Sequence, residues 1–469
     1  MQLKRNLLSA ALASAIALTA TGVQAQTAEA TAEQNQQADA TELDTVVVTG
    51  IRRGIESAIS VKRDSTSIVE AISAEDIGKL PDVSIAESLA RLPGLAAQRV
   101  AGRAQVISVR GLSPDFSTTL LNGREMVSTG DNRSVEFDQY PSELVGGVTV
   151  YKTPDAGLIG QGLSGTIDMQ TVRPLSFDAP VGAVGIRGQR NSLGNAADAS
   201  AYGERINASY ITQNEARTFG FSIGYSHSTT PVQENQVGLY EPWQAIGDNW
   251  RPGVPAGTYY SDGIKALRRT GETKRDGVMA VVEWQPSDKF HTTIDGYWSK
   301  FKDEQRLRGI EFPLVWGTDV GVSDVTVENG FVTGATFSNV YGVQRNDYNK
   351  RKADTISLGW NNDIRLNDRL KLNVDASWSR AKRTDFLLET YSGTGYLRSG
   401  VSDTVRVERQ SNGLFSIVPT LDYTDTNVIS LTDPNGWGYN GTTAVVQAGF
   451  LNRPKFIDDM KSFRANLVG

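Results

Sequence analysis

Ile356-Ser357-Leu358-Gly359-Trp360-Asn361-Asn362-Asp363-Ile364-Arg365-Leu366, a break at Asn367-Asp368-Arg369, then Leu370-Lys371-Leu372-Asn373-Val374-Asp375-Ala376-Ser377-Trp378 is the stretch on which the fold turns. Ile356, Leu358, Trp360, Ile364 and Leu366 alternate with Ser357, Gly359, Asn361, Asp363 and Arg365; after the break Leu370, Leu372, Val374, Ala376 and Trp378 alternate with polar residues. A period of two is the signature of strands, and the tight break makes them a hairpin. One face is apolar with aromatics near the strand ends, and the other is polar or glycine. Strands of a soluble sandwich run ~5–6 residues, whereas these approach or exceed the ~9–11 residues that cross a bilayer at a tilt.

Working outward, Phe219, Phe221, Ile223 and Tyr225 alternate in the same way with Gly220, Ser222, Gly224 and Ser226. Short turns at Trp284 to Phe290 and Leu366 to Leu370 alternate with long connections, read here as loops 227–275 and 302–352. Alternately short and long connections are the habit of outer-membrane barrels. The expected architecture from 180 to 469 is therefore an antiparallel membrane β-barrel, and a secreted β-sandwich is the competing one.

Composition narrows the function classes. The chain has 469 residues, 46 glycines, no cysteine and a net charge of -6. That charge argues against nucleic acid as a partner, since such surfaces are basic and clustered. Without cysteine there is no disulfide, no zinc-thiolate site and no lipidated cysteine. Lys4 and Arg5 precede an apolar stretch from Leu7 to Ala20, and Val23-Gln24-Ala25 offers a cleavage site. Residues 1–25 read as a secretory signal peptide. No later stretch has the ~18 apolar residues of a membrane-spanning helix.

Residues 26–50 open on an Ala-, Thr-, Gln- and Glu-rich tether that has almost nothing to bury. The tether leads to Asp44-Thr45-Val46-Val47-Val48-Thr49-Gly50. A β-prone heptapeptide on a leash suits addition to a partner's sheet edge; it would equally serve as the first strand of the next domain. Residues 51–175 then read as an α/β unit. Ser73-Ala74-Glu75-Asp76 and Ser84-Ile85-Ala86-Glu87 open helices in capping-box style, and Pro93-Gly94 ends the second. Val106 to Val109 is a strand, Leu120-Leu121-Asn122-Gly123 enters an Asn-Gly hairpin turn, and Val148 to Tyr151 is a strand before the glycine-dense Gly157 to Gly165.

In order and spacing these pieces resemble the TonB-dependent outer-membrane receptors. Asp44 to Thr49 looks like their TonB box, and Ile107-Ser108-Val109-Arg110-Gly111 like a plug strand ending in Arg-Gly. Leu120-Leu121-Asn122-Gly123 resembles a Leu-Asp-Gly turn with Asn for Asp. Pro141-Ser142-Glu143-Leu144 to Lys152 is similar to the helix-strand segment that follows, and Gly162 to Val172 with Arg173-Pro174 to the closing plug strand. The resemblance implies an N-terminal plug inside a barrel of about 22 strands, of which this chain, with eight or nine strands after Val181, is expected to hold an incomplete part. It implies export to the Gram-negative outer membrane, contact with its lipid, and active import of a nutrient energised through the TonB C-terminal domain at Asp44, Thr45, Val46, Val47, Val48 and Thr49. Plug apices would lie around Arg99 to Arg103, Ser113 to Ser117 and Ser128 to Arg133.

Motifs of enzyme chemistry do not develop. Gly160-Gln161-Gly162-Leu163-Ser164-Gly165 fits a dinucleotide expression, but the alternating Thr166 to Val172 follows instead of the helix such a site needs. His227 and His291 are isolated, and no nucleophile elbow is formed. A receptor without catalysis, cofactor or resident metal is expected. Candidate ligand residues are Arg103, Asp115 and Arg133 on the plug and Trp243, Trp250, Tyr259 and Tyr260 in the first long loop, beside Glu241, Asp248 and Asp262. Flat aromatic faces with carboxylates suit an oligosaccharide or other organic ligand; a ferric siderophore is the alternative. The same aromatics would also serve as an interfacial girdle or as the loop's own small core.

Overall fold

The computed structural model describes residues 58–469 apart from 74–83, 101–102, 141–144, 159–161, 197, 242, 248–250, 252, 316–318, 395–399, 431–437, 440–443 and 446–448. The heptapeptide 44–50, and the helices expected from Ser73 and Pro141, fall outside these residues or nearly so; Ser73 itself ends a strand.

The first unit is an α/β plug. Its sheet contains β1 (Val69–Ser73), β4 (Ser117–Leu121), β5 (Arg124–Glu125), β6 (Val145–Tyr151) and β7 (Gly165–Thr171), while β2 (Leu95–Val100) pairs with β3 (Arg103–Val109) as a separate hairpin. The sheet order is β1-β6-β7-β4-β5, with β4 parallel to β7 and the remaining pairs antiparallel. β4 turns into β5 through Asn122 and Gly123, at φ 52° and 73°. Two positive φ values define the hairpin turn that Asn-Gly favours. The turn is also tied down laterally: Thr171 N–H donates to Asn122 Oδ1 and Gly123 N–H to Asp168 Oδ1.

Helix α1 spans Ile85–Leu89. The capping box read at Ser84 does not form. Ser84 is buried against β3, so its hydroxyl donates to the Ala104 carbonyl at 3.2 Å, and Glu87 pairs with Arg99. Ile85, Leu89, Ile107, Val109, Leu121, Val148, Val150, Ile167 and Met169 are buried in one core. Each such side chain contributes about 1.5–3 kcal/mol. Two residues of the following sheet, Met279 and Tyr297, belong to the same core.

After Arg173 the chain becomes long antiparallel strands: β8 (Val181–Arg190), β9 (Tyr202–Gln213) and β10 (Phe219–Leu239). Small strands β11 (Gln244–Ala245) and β12 (Tyr259–Tyr260) precede β13 (Ile264–Ser287) and β14 (Phe290–Phe312). Then come β15 (Gly321–Glu328), β16 (Phe331–Val340), β17 (Val343–Arg365), β18 (Lys371–Gly393), β19 (Asp403–Arg409) and β20 (Phe415–Pro419). The short pair β21 (Gly438–Tyr439) and β22 (Ala444–Val445) is followed by β23 (Gly449–Asn452) and β24 (Lys455–Val468). β8, β9, β10, β13, β14, β17 and β18 pair successively, and β23 and β24 share the far edge of β18. Among the described residues this antiparallel barrel wall is an open sheet.

The alternation read from the sequence places the faces. Ile294, Trp298, Leu358, Trp360 and Phe463 are exposed on the outer face, while Asp295, Tyr297, Ser299 and Asp375 are buried on the inner one. The two long loops are shorter than the sequence suggested. β10, β13, β14, β17 and β18 have 21 to 24 residues each, so most of 227–239, 264–275, 302–312 and 343–352 remains strand. At ~3.3 Å per residue such strands greatly exceed a bilayer. Polar alternating segments hide the continuation, because strand pairing is satisfied by the neighbours once the apolar band has ended.

Above that continuation stands a second sheet in the order β11-β12-β16-β19-β20, with β15 on β16. Its core buries Ile264, Phe312, Leu314, Val320, Phe337 and Val405. Asn329-Gly330 turns β15 into β16 and Asn412-Gly413 lies in the turn from β19 to β20, with Asn329, Gly330 and Gly413 at positive φ.

Candidate functional site: the seam between plug and barrel wall

Arg124 follows the pinned Asn122-Gly123 turn and points away from the plug into the wall. Its Nη1 donates to Asp295 Oδ2 at 2.6 Å, and Nε and Nη2 donate to the Asp375 carboxylate at 2.9–3.0 Å. Asp295 and Asp375 lie on β14 and β18, with Gly359 of β17 opposite Asp295 in register. Asn361 supplies a further donor to Asp375 at 2.9 Å. All three charged side chains are buried. Burial opposes the charge on Arg124, but bonding to Asp375 and Asp295 outweighs it and holds the guanidinium pKa above its ordinary value. Removing one partner of such a cluster strands a buried charge at a cost of about 3–5 kcal/mol.

A second set of contacts holds the segment 137–140. Arg275 of β13 donates to the carbonyls of Asp138 and Tyr140, and Tyr297 and Ser299 of β14 both donate to Gln139 O, at 2.7 and 3.0 Å. The rings of Tyr140 and Tyr297 stack with centroids 5.0 Å apart. Further along, Arg383 of β18 donates to Thr129 O and to Asp131. Glu136 behind this loop is buried and accepts from Thr129 N–H and Oγ1; burial, reinforced by Asp138, raises its pKa. The seam therefore joins plug to wall through charged and backbone-directed bonds, and Met279 and Tyr297 add apolar contact with the plug core.

The candidate ligand residues separate into two groups. Asp115 and Arg133 come together on the plug: Asp115 accepts from Ser134 N–H and Asn132 Nδ2, while Arg133 reaches Thr118 and Glu125. Arg103 starts β3, and its side chain lies outside the described residues, as does Trp250. Trp243 and Tyr259 converge on Phe331 in the upper sheet, edge-on at 5.4 Å and stacked at 5.3 Å. Tyr260 pairs with Gln244 along the strand, and burial raises its phenol pKa. Asp262 accepts from Glu241 N–H, so this carboxylate orders the loop. An open cleft beside Trp243 is lined by Leu239, Phe331, Leu414, Phe415 and Arg409.

Arg124, Asp295, Asp375, Arg275 and Arg383 are residues that sequence reading passed over. The two aspartates carried a signal, since alternation places them mid-strand on the face opposite the apolar one; their plug partner, 171 and 251 residues away, carried none. The glycine expression at 160–165 leads into strand β7, as read. His291 faces Glu283 at 3.3 Å and His227 faces Asp276 at 2.8 Å, and the two histidines share no site.

Residues 61–167 match the family model described as TonB-dependent Receptor Plug Domain. Solved structures similar to the chain include a ferric enterobactin receptor mutant from Pseudomonas aeruginosa (12% identity, 77% of this chain and 60% of that one, TM-score 0.38). Others are the siderophore receptor PirA from Acinetobacter baumannii (13%, 77% and 59%, TM-score 0.38) and the outer membrane transporter YddB from Escherichia coli (12%, 75% and 57%, TM-score 0.36). The chain spans about 60% of the length of those structures. The α/β unit pinned to the inner face of the wall thus matches, over residues 61–167, the TonB-dependent receptor plug domain, and it stands ahead of the barrel strands.

Proposed function

We propose that this receptor lies in the outer membrane and imports a scarce nutrient with energy delivered by TonB to Asp44–Thr49. The observation that supports this most is the buried clamp of Arg124 on Asp295 and Asp375. A plug held by such contacts does not leave its seat thermally, so opening a path needs external work. A β-prone hexapeptide on a polar tether is a suitable handle, because strand addition transmits tension through backbone hydrogen bonds. Uptake into cells, measured before and after the proton-motive force is collapsed, tests the reading: import stops and surface binding persists. Uptake that continues at the same rate contradicts it.

For the ligand we propose an oligosaccharide or a related hydroxyl-rich organic molecule. Arg345, Arg351 and Arg383 on the inner face are each tied to wall carboxylates, so they do not offer free positive charge to an anionic metal chelate. The cleft beside Trp243, Phe331 and Phe415 offers flat apolar faces instead. Binding of an oligosaccharide panel to the receptor, with Trp243→Ala and Trp250→Ala compared singly, tests this. Binding of a ferric siderophore and of no sugar replaces the carbohydrate with the iron chelate.

A further inference from the structure

The turn between β19 and β20 sets a cation beside the aromatic cleft. On β19, Val405 and Val407 are buried in the core of the upper sheet, and Arg409 follows them on the same face, where that core ends. Arg409 lies directly opposite Phe415 of β20. Directly opposed residues share a face with Cβ atoms ~4.5–5.5 Å apart, so Arg409 and the Phe415 ring border the same space. Phe415 in turn stands 6.5 Å from the Trp243 ring, and Trp243 meets Phe331 edge-on at 5.4 Å.

The turn itself is fixed by its own bonds. Gln410 N–H donates to Leu414 O at 2.7 Å and Gly413 N–H to Gln410 O at 2.9 Å. Asn412 Oδ1 accepts from Leu414 N–H at 3.0 Å, and Gly413 takes φ 82°. Arg409 and Phe415 flank this closed loop, so their backbone spacing is set before any ligand arrives. Arg409 is exposed, and among the described residues its side chain has no ion pair, hydrogen bond or ring contact. Its neighbour Glu408 faces the other side of the strand and is held by Arg406 at 2.7 Å. No other charged residue lines the cleft among the described residues. Arg345, Arg351 and Arg383 of the inner wall differ, since each closes on a carboxylate.

We propose that the cleft beside Trp243 takes an oligosaccharide of carboxylated sugars, with Arg409 receiving a carboxylate and the aromatic rings receiving the sugar faces. The inference rests on the carbohydrate reading above and narrows its class. A uronic acid carries both features on one ring, a C–H face that stacks on an aromatic plane and a carboxylate at the edge. Guanidinium meets carboxylate through two parallel N–H···O bonds, a planar match that a neutral hydroxyl does not offer. The cleft holds about 540 Å³, within the ~300–1,000 Å³ of small-molecule sites, which is more than a lone anion needs. One cation suits one carboxylate at a time. A chelate with several negative charges would press the remainder against apolar Leu239 and Leu414 without partners, and burying an unpaired charge is costly.

The test uses the whole receptor purified from membranes, titrated by calorimetry with oligogalacturonides and oligomannuronides, each beside its methyl ester, and with neutral oligosaccharides. The ester keeps the rings and loses the charge. A charge-assisted pair should favour the acid over its ester by about ten- to a hundredfold. Arg409→Gln should erase that preference and leave ester binding as it was. Arg409→Lys keeps the charge but not the planar fork, so it should retain part of the preference. Trp243→Ala should weaken both forms by the same factor, and Lys371→Gln at the short-turn rim should change neither. Equal binding of acid and ester by the unmodified receptor overturns the proposal, as does a preference that survives Arg409→Gln. If Arg409→Gln does not fold, Arg409→Lys and the comparison of acid with ester on the unmodified receptor decide the matter. Binding of neutral oligosaccharides alone, or of acid and ester alike, removes only this proposal; a receptor that binds no sugar removes the carbohydrate reading with it.

Discussion

Gly359 faces the guanidinium of Arg124, and a Cβ at that position would overlap its Nη1 and Cζ atoms. Gly359 lies between Asp295 and Ser377 in register, so a bare backbone is what lets one arginine reach carboxylates on two strands flanking β17.

Gly359→Ala should therefore weaken the plug's seat without touching a charged residue. Displacing the guanidinium from its buried partners is expected to cost about 3 kcal/mol. Hydrogen exchange through Ser117 to Glu125 should accelerate, and the unfolding midpoint should fall. Gly188→Ala, where no atom lies within 4 Å of the added carbon, should change neither.

Gln139 O receives two donors, from Tyr297 and Ser299. Tyr297→Phe leaves one of them in place and keeps the stacked ring, so the loss should be about 1 kcal/mol or less. Arg275→Met strips a donor from both Asp138 O and Tyr140 O and should cost clearly more. Denaturant midpoints of the two variants, measured side by side, check the ordering.

Glu136 predicts a pH dependence. Burial first, and Asp138 second, raise its pKa above the ordinary 4.5, although bonds from Thr129 oppose the shift. The folded protein thus holds this proton more tightly than the unfolded chain does. Its contribution favours folding below pH 4.5 and is lost as pH rises through the higher folded value. Glu136→Gln should flatten that part of the stability profile, raising the midpoint at pH 7 relative to the unmodified receptor and leaving the two alike near pH 4.

Much of this architecture could be read from the chain because its strongest signals are local. The period of two from Ile356 to Trp378 fixes which face is apolar and outward, and Asn122-Gly123 fixes a turn, each within a few residues. Strand ends were harder to place. Beyond Trp298 or Tyr225 both faces are polar, and continuation depends on pairing with a neighbour far along the chain. The same limit hid the seam: Asp295 and Asp375 were visible as inward acids, but only the folded plug delivers Arg124 between them. Trp243 and Tyr259 read as residues of a long loop with more than one possible purpose, and contact with Phe331 makes them part of a local core as well as one wall of a cleft.

If import is driven by a pull on the segment Asp44–Thr49, Val47→Pro should abolish it. Proline removes one backbone donor and fixes φ, which disrupts strand addition while leaving the plug and wall sequences untouched. Ligand uptake and surface binding are measured on the same cells carrying the unmodified or the substituted receptor. Surface binding should be unchanged and uptake reduced to the level of cells without the receptor. Uptake at the unmodified rate, with the substituted protein present in the membrane, would contradict it.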